Sequence, residues 1–157
     1  RPLQPFIYGG PQERNRRGGT ENVYGIVGLA KALDIAMDNL EKDRAHIEEL
    51  KAYSIAELRR SIKDVRFNGE SGGDGLYTVL SVSLPVTGKR EMLLFNLDIK
   101  GIAVSGGSAC SSGVNEDSHV LSGIGADMER PSIRMSFSKL NNKDEIDYLV
   151  KTLVKIL

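Results

Sequence analysis

Three stretches of the chain carry residue types that do chemistry. In Ser105-Gly106-Gly107-Ser108-Ala109-Cys110-Ser111-Ser112-Gly113 a lone thiol sits among small residues, so no bulky neighbour shields the sulfur. The glycines free the backbone to carry it over a distance, which suits a thiolate nucleophile that must travel. The everyday alternative is a small buried cysteine in a glycine turn, although a buried cysteine normally has apolar rather than serine-rich neighbours. The second stretch, Gly9-Gly10-Pro11-Gln12-Glu13-Arg14-Asn15-Arg16-Arg17-Gly18-Gly19-Thr20-Glu21-Asn22, brings glycines, arginines and a hydroxyl to the start of a helical pattern. Free N–H groups, a positive dipole end and cationic donors are the parts of a phosphate site. Thr20 or Asn22 as a plain N-cap, with solvated arginines, accounts for the same letters. The third is Arg134, held between Ser132 and Ser136 on a strand pattern, a firm mount for a bidentate grip on a carboxylate. An exposed strand arginine is the bland alternative.

Composition removes several other chemistries. The 157 residues are one domain's worth of chain, and 21 Lys plus Arg balance 21 Asp plus Glu, so bulk charge cannot drive binding to nucleic acid or an anionic membrane. No apolar run approaches the roughly 18 residues of a membrane span and no signal peptide opens the chain, so the expectation is a cytoplasmic protein. One cysteine forms no internal disulfide, and His46 and His119 are too few for a zinc cluster; no metal is expected. If Cys110 matters, it matters through reactivity.

The elements that must position these residues follow from periodicity. Apolar residues from Val23 to Leu40 predict a helix over 21–40 whose first half is apolar on nearly every side, a helix that wants covering by more protein. Ile47, Leu50, Ile55, Leu58 and Ile62 predict a second, amphipathic helix at about 43–62. Val65-Arg66-Phe67 is a short strand candidate, and 77–84 is a strand with Leu80, Val82 and Leu84 on one face, ended by Pro85. Residues 90–98 read as a buried helix, 102–104 as a short buried strand leading into the Cys110 loop, and 118–123 as a short helix. Residues 132–137 are a strand with Ile133, Met135 and Phe137 inward and Arg134 on the polar face. The chain closes on an amphipathic helix introduced by an Asn142/Glu145 capping pair. Strands separated by helices predict an α/β (α+β layer) fold, a small open sheet with helices packed on it. The start, Arg1-Pro2-Leu3-Gln4-Pro5, lacks an initiator methionine and enters a loop before any element, so the expectation is a piece of something longer.

Taken in order, Gly9-Gly10-Pro11-Gln12-Glu13-Arg14-x-x-Arg17-x-Gly19-Thr20-Glu21-Asn22, Ser105-x-Gly107-Ser108-Ala109-Cys110-Ser111-Ser112-Gly113 and Ser132-Ile133-Arg134-Met135-Ser136 resemble the C-terminal portion of a NifS/IscS-type cysteine desulfurase. The resemblance spans essentially the whole chain. It implies the class V aminotransferase fold, a homodimer whose large domain binds pyridoxal phosphate while a small domain closes over it. Residues 1–20 would then be a loop leading out of a missing cofactor-binding domain, and 21–157 the small domain. The resemblance implies that Cys110 takes sulfur from L-cysteine as a persulfide, releasing L-alanine, and passes it to an acceptor such as an iron–sulfur scaffold protein. It assigns the substrate carboxylate to Arg134 and, across the dimer, the cofactor phosphate to Thr20.

No residue here matches the lysine that anchors the cofactor as a Schiff base, the aspartate facing its pyridine nitrogen or the histidine over its ring, so this chain alone is expected to be inactive. Gly19 and Gly106 stand where many relatives carry serine or another small residue. Two alternatives stay open: a non-catalytic interaction module that kept the small-domain fold, and another class V pyridoxal-phosphate enzyme, which would explain Arg134 but not the cysteine loop.

Overall fold

Between Gly28 and Gly69 the chain contains no glycine or proline, and nothing in its backbone preferences stops a helix once started. The computed structural model, which describes residues 4–70, 75–86, 92–106 and 118–157, accordingly shows a single helix, α2 (Val23–Ser61), where periodicity predicts two. The change at about residue 41 from all-round apolar to amphipathic is a change of surroundings without a break in the helix. Before it comes one turn, α1 (Gln12–Asn15), whose Glu13, Arg14 and Asn15 stand at φ 48°, 57° and 63°.

After α2 come β1 (Arg66–Asn68), β2 (Val79–Ser83), α3 (Leu93–Ile99), α4 (His119–Gly123), β3 (Ser132–Ser136) and α5 (Lys143–Ile156). The strands form one antiparallel sheet in the order β1-β2-β3. The alternation foreseen on β2 and β3 is present: Leu80, Val82, Ile133 and Met135 are buried, while Arg134 and Ser136 are exposed. Helix α5 carries the expected capping box, with the Asn142 side chain accepting from the Glu145 amide and the Glu145 carboxylate accepting from the Asn142 amide. Among the described residues, no helix is long and apolar enough to cross a membrane.

Two compact units divide the chain, Arg1–Leu40 and Glu41–Leu157. In the second, one face of the sheet is covered by a cluster in which Ile47, Leu50 and Leu58 of α2 meet Leu93 and Leu97 of α3 and Ile146, Leu149 and Leu153 of α5. Full burial of each such leucine contributes about 1.5–3 kcal/mol, so this cluster is where the unit's stability resides. The first unit has no such core. Gly18 is its sole buried residue among those described, and Tyr24, Leu29 and Met37 of α2 are 93%, 73% and 61% exposed.

The predicted strand at 102–104 does not form. Gly101 turns at φ 72° and the Ile102 amide donates back to the Leu97 carbonyl at 3.0 Å, which draws this segment toward the end of α3 and leaves a single bridge to β3 at Ser105. Helix α3 itself is half-covered, with Leu93 and Leu97 buried but Phe95 and Ile99 mostly exposed.

One ion pair, buried on its arginine side and exposed on its carboxylate side, ties the sheet to the turn after α2. The Arg130 guanidinium, 5% exposed, donates from Nη1 to Asp64 Oδ2 at 2.7 Å and from Nε to Ser83 Oγ at 3.0 Å, and Nη2 donates to the Asp64 carbonyl. The Arg130 hydrogen bond, reinforced by its charge, holds the Asp64 carboxyl below its ordinary range against the opposing effect of desolvation. The hydrogen bond from Lys143 does the same for Glu49, and those from Asn141 and the Asn142 amide for Glu145. A depressed carboxyl stabilises the fold above its unfolded pKa, about 4, and that contribution is lost as pH falls through the lower folded value. The melting temperature should therefore drop on acidification below about pH 4, and Asp64→Asn should flatten that drop. Equal acid sensitivity of the two proteins in thermal melts followed by circular dichroism would remove Asp64 from the account.

Candidate functional site

Because residues alternate faces along β3, burying Ile133 and Met135 obliges Arg134 to stand on the open face of the sheet. Its backbone is fixed on both sides. Toward β2 its Cα partner is Ser81; toward the other edge its amide donates to the Ser105 carbonyl at 2.6 Å and its carbonyl accepts from the Ser105 amide at 3.1 Å. Ser105 is the first residue of the cysteine-bearing stretch, so the foot of that stretch and the candidate carboxylate-binding arginine share a reciprocal pair of hydrogen bonds.

Paired residues in an antiparallel ladder project to the same face, as do residues two apart on a strand. Arg134 is thus flanked by Ser81 and Ser105 across the sheet and by Ser132 and Ser136 along it. The sequence shows the last two; the first two required the register. Among the described residues, the Arg134 side chain has no hydrogen bond and no ion pair. It is a planar, permanently charged fork in a ring of small hydroxyls, which suits a carboxylate.

One more polar side chain reaches this ring. Asn68, the last residue of β1, donates from Nδ2 to Ser81 Oγ at 3.1 Å and to Ser132 Oγ at 3.2 Å. Its sequence signal was faint, an asparagine before a glycine at the end of a three-residue strand. Beyond the Ser105 bridge the two backbone segments part, leaving a groove of about 520 Å³ walled by residues including Ile102, Val104, Met135, Phe137, Tyr148 and Leu149.

Cys110 lies outside the described residues. Gly106, four positions before it, packs so closely on α3 that a Cβ there would stand 2.6 Å from Leu94 Cδ1.

Thr20 belongs to the first unit and is exposed. The N-cap of α2 is Asn22, whose Oδ1 accepts from the Gly25 amide at 3.1 Å, so the Thr20 hydroxyl is not spent on capping. Arg17 is spent: it donates to the Glu21 carboxylate at 2.6 Å and to the Gly18 and Gly19 carbonyls at 3.1 and 2.9 Å. It holds the shape of the loop beside Thr20. Gly18 is required there, because a Cβ would meet the Tyr8 carbonyl oxygen at 2.7 Å. Among the described residues the Thr20 hydroxyl has no hydrogen-bond partner, and it stands just before a long helix, chemistry that fits a phosphate oxygen. Among the described residues, no group of three or more His, Cys, Asp or Glu is placed to hold a metal ion.

Comparison with known proteins gives the chain's family. The aminotransferase class-V family model matches residues 8–149. A cysteine desulfurase IscS of Dictyoglomus turgidum is 38% identical over 157 residues, covering 99% of this chain and 39% of that protein. A solved structure described as a NifS-like protein is 33% identical with a TM-score of 0.74, over 99% of this chain and 39% of its own. A NifS-like protein from Rickettsia africae, 28% identical, superposes with the same TM-score of 0.74 over 97% of this chain. The chain thus spans about 40% of the length of these relatives. With its sheet, its strand-mounted arginine and its glycine–arginine loop all inside the matched region, the chain belongs to the aminotransferase class-V family.

Proposed function

We propose that this chain is the sulfur-accepting, substrate-gripping portion of a pyridoxal-phosphate-dependent cysteine desulfurase. The observation that supports this most is the reciprocal hydrogen bonding of Arg134 and Ser105, which joins the foot of the cysteine-bearing stretch to an arginine whose side chain has no partner among the described residues. The kinship with cysteine desulfurases of the same family points the same way.

In this reading the Arg134 guanidinium takes the carboxylate of L-cysteine by two parallel hydrogen bonds and fixes which way the substrate's sulfur faces. Pyridoxal phosphate, when bound, acts as an electron sink that weakens the substrate's C–S bond. The Cys110 thiolate attacks the substrate sulfur, forming an S–S bond as the C–S bond breaks. The electron pair of the broken bond stays with carbon, which is protonated and leaves as L-alanine. Sulfur is oxidised to the sulfane level and carbon is reduced, so no outside oxidant is needed. Cys110 then carries a persulfide whose terminal sulfur passes to an acceptor, such as a scaffold protein on which iron–sulfur clusters are assembled. The Thr20 hydroxyl would donate to a cofactor phosphate oxygen, in a homodimer that of the partner protomer. Most of the cofactor site, including the lysine that holds it, would be supplied by sequence outside this chain, which carries no match for it. The apolar first half of α2 and the absence of a core around it accord with residues 1–40 being completed by such a domain.

Three outcomes test the proposal. Cys110→Ser in the intact enzyme should abolish alanine release with the cofactor's absorbance unchanged, since a hydroxyl cannot accept sulfane sulfur; wild-type turnover in that variant would exclude Cys110 as the acceptor. Arg134→Ala should raise KM for L-cysteine about 10- to 100-fold, the worth of a charged bidentate contact, with little change in melting temperature. An unaltered KM would make Arg134 a surface residue. The 157-residue chain mixed with pyridoxal phosphate alone should show neither specific cofactor absorbance nor alanine release from L-cysteine, and activity would overturn the assignment of the missing lysine to another part of the protein.

A further inference from the structure

The four serines around Arg134 pose a chemical problem that Asn68 answers. A serine oxygen accepts hydrogen bonds, and a guanidinium offers five N–H donors and accepts none. Left to themselves, Ser81 and Ser132 would turn their oxygens toward Arg134 and hold its fork down on the sheet. The structure shows otherwise. Both oxygens accept from Asn68 Nδ2, at 3.1 and 3.2 Å, and the Arg134 side chain makes no hydrogen bond among the described residues. Asn68 reaches these partners by spanning the sheet on its open face, from β1 past its own partner Ser81 on β2 to Ser132 on β3.

We infer that Asn68 is a positioning residue that keeps Arg134 available for the substrate carboxylate. The inference rests on the desulfurase reading. By taking a lone pair on the serine opposite Arg134 and on the serine two places before it, Asn68 turns these acceptors toward itself and makes them poorer partners for the guanidinium. It acts through Arg134 rather than on the substrate itself. A sheet fastener with no such role would also make these two hydrogen bonds, but it would alter stability and leave substrate affinity as it was.

The test is a set of steady-state measurements on the intact, cofactor-loaded enzyme. Asn68→Ala should raise KM for L-cysteine about 5-fold with kcat within twofold of wild type, the size expected for one lost hydrogen bond. Asn68→Leu, close to asparagine in shape but with no N–H to give, serves if Asn68→Ala folds poorly; Ser132→Ala, which removes a competing acceptor outright, should leave KM no higher than wild type and, combined with Asn68→Ala, should shrink the KM rise that Asn68→Ala causes alone. Combined with Arg134→Ala, the Asn68→Ala change should add nothing further to KM, because the residue it acts through is gone. Should Arg134→Ala raise KM while Asn68→Ala and Asn68→Leu shift only the melting temperature, the positioning role is overturned and the desulfurase reading stands. Should Asn68→Ala raise KM equally with or without Arg134, Asn68 acts by another route and the inference also fails. An unaltered KM in Arg134→Ala removes the reading and the inference together.

Discussion

Everything on the open face of the sheet follows from which residues of β3 point inward. Side-chain direction alternates strictly along a strand, so a slip of one residue would bury Arg134 in the cluster of leucines and put Ile133 and Met135 into water. Neither is affordable for so small a core: an unpaired guanidinium and two apolar side chains would be misplaced at once. The hydrophobic cluster beneath the sheet is therefore what aims the arginine above it, and the antiparallel pairing with β2 and Ser105 fixes its place along the strand.

The features legible in the letters were those set by local rules. Strict alternation in residues 79–83 and 132–136 revealed both long strands and the exposed side of Arg134, and Asn142 with Glu145 three places on revealed the start of α5. What depended on register or on distant partners stayed hidden. Ser81 and Ser105 become neighbours of Arg134 only when three separate segments align, and Asn68 reaches Ser132 across a sequence separation of 64 residues. Arg130, which no local pattern in the sequence singles out, is buried because Asp64 and Ser83 come to meet it. The continuity of α2 across residue 41 is hidden for a different reason: hydropathy reports what surrounds a helix, while only backbone preference and capping report where it stops.

The two units differ in what folding alone can give them. Residues 41–157 own a buried cluster built from three helices and a sheet. Residues 1–40 expose aromatic and aliphatic side chains all round their stretch of helix and bury almost nothing. Helical propensity can write that helix, but isolated helices are marginal in water without a packed face. Such a segment is specified by its sequence and stabilised by what surrounds it. Thr20, standing just before it, shares this dependence.

The contact between Gly106 and Leu94 bears on how such a protein can change over evolutionary time. Adding a side chain at 106 requires Leu94 to swing aside, whereas trimming Leu94, which is 40% exposed, sacrifices little of the core. The two substitutions are therefore unequal as first steps. A lineage that shortens residue 94 first opens position 106 to serine or alanine outright, whereas one that begins at 106 needs the half-exposed end of Leu94 to turn aside. The identity of a residue at the foot of the cysteine-bearing stretch is in this sense recorded in α3, and divergence at the two positions is expected to follow an order.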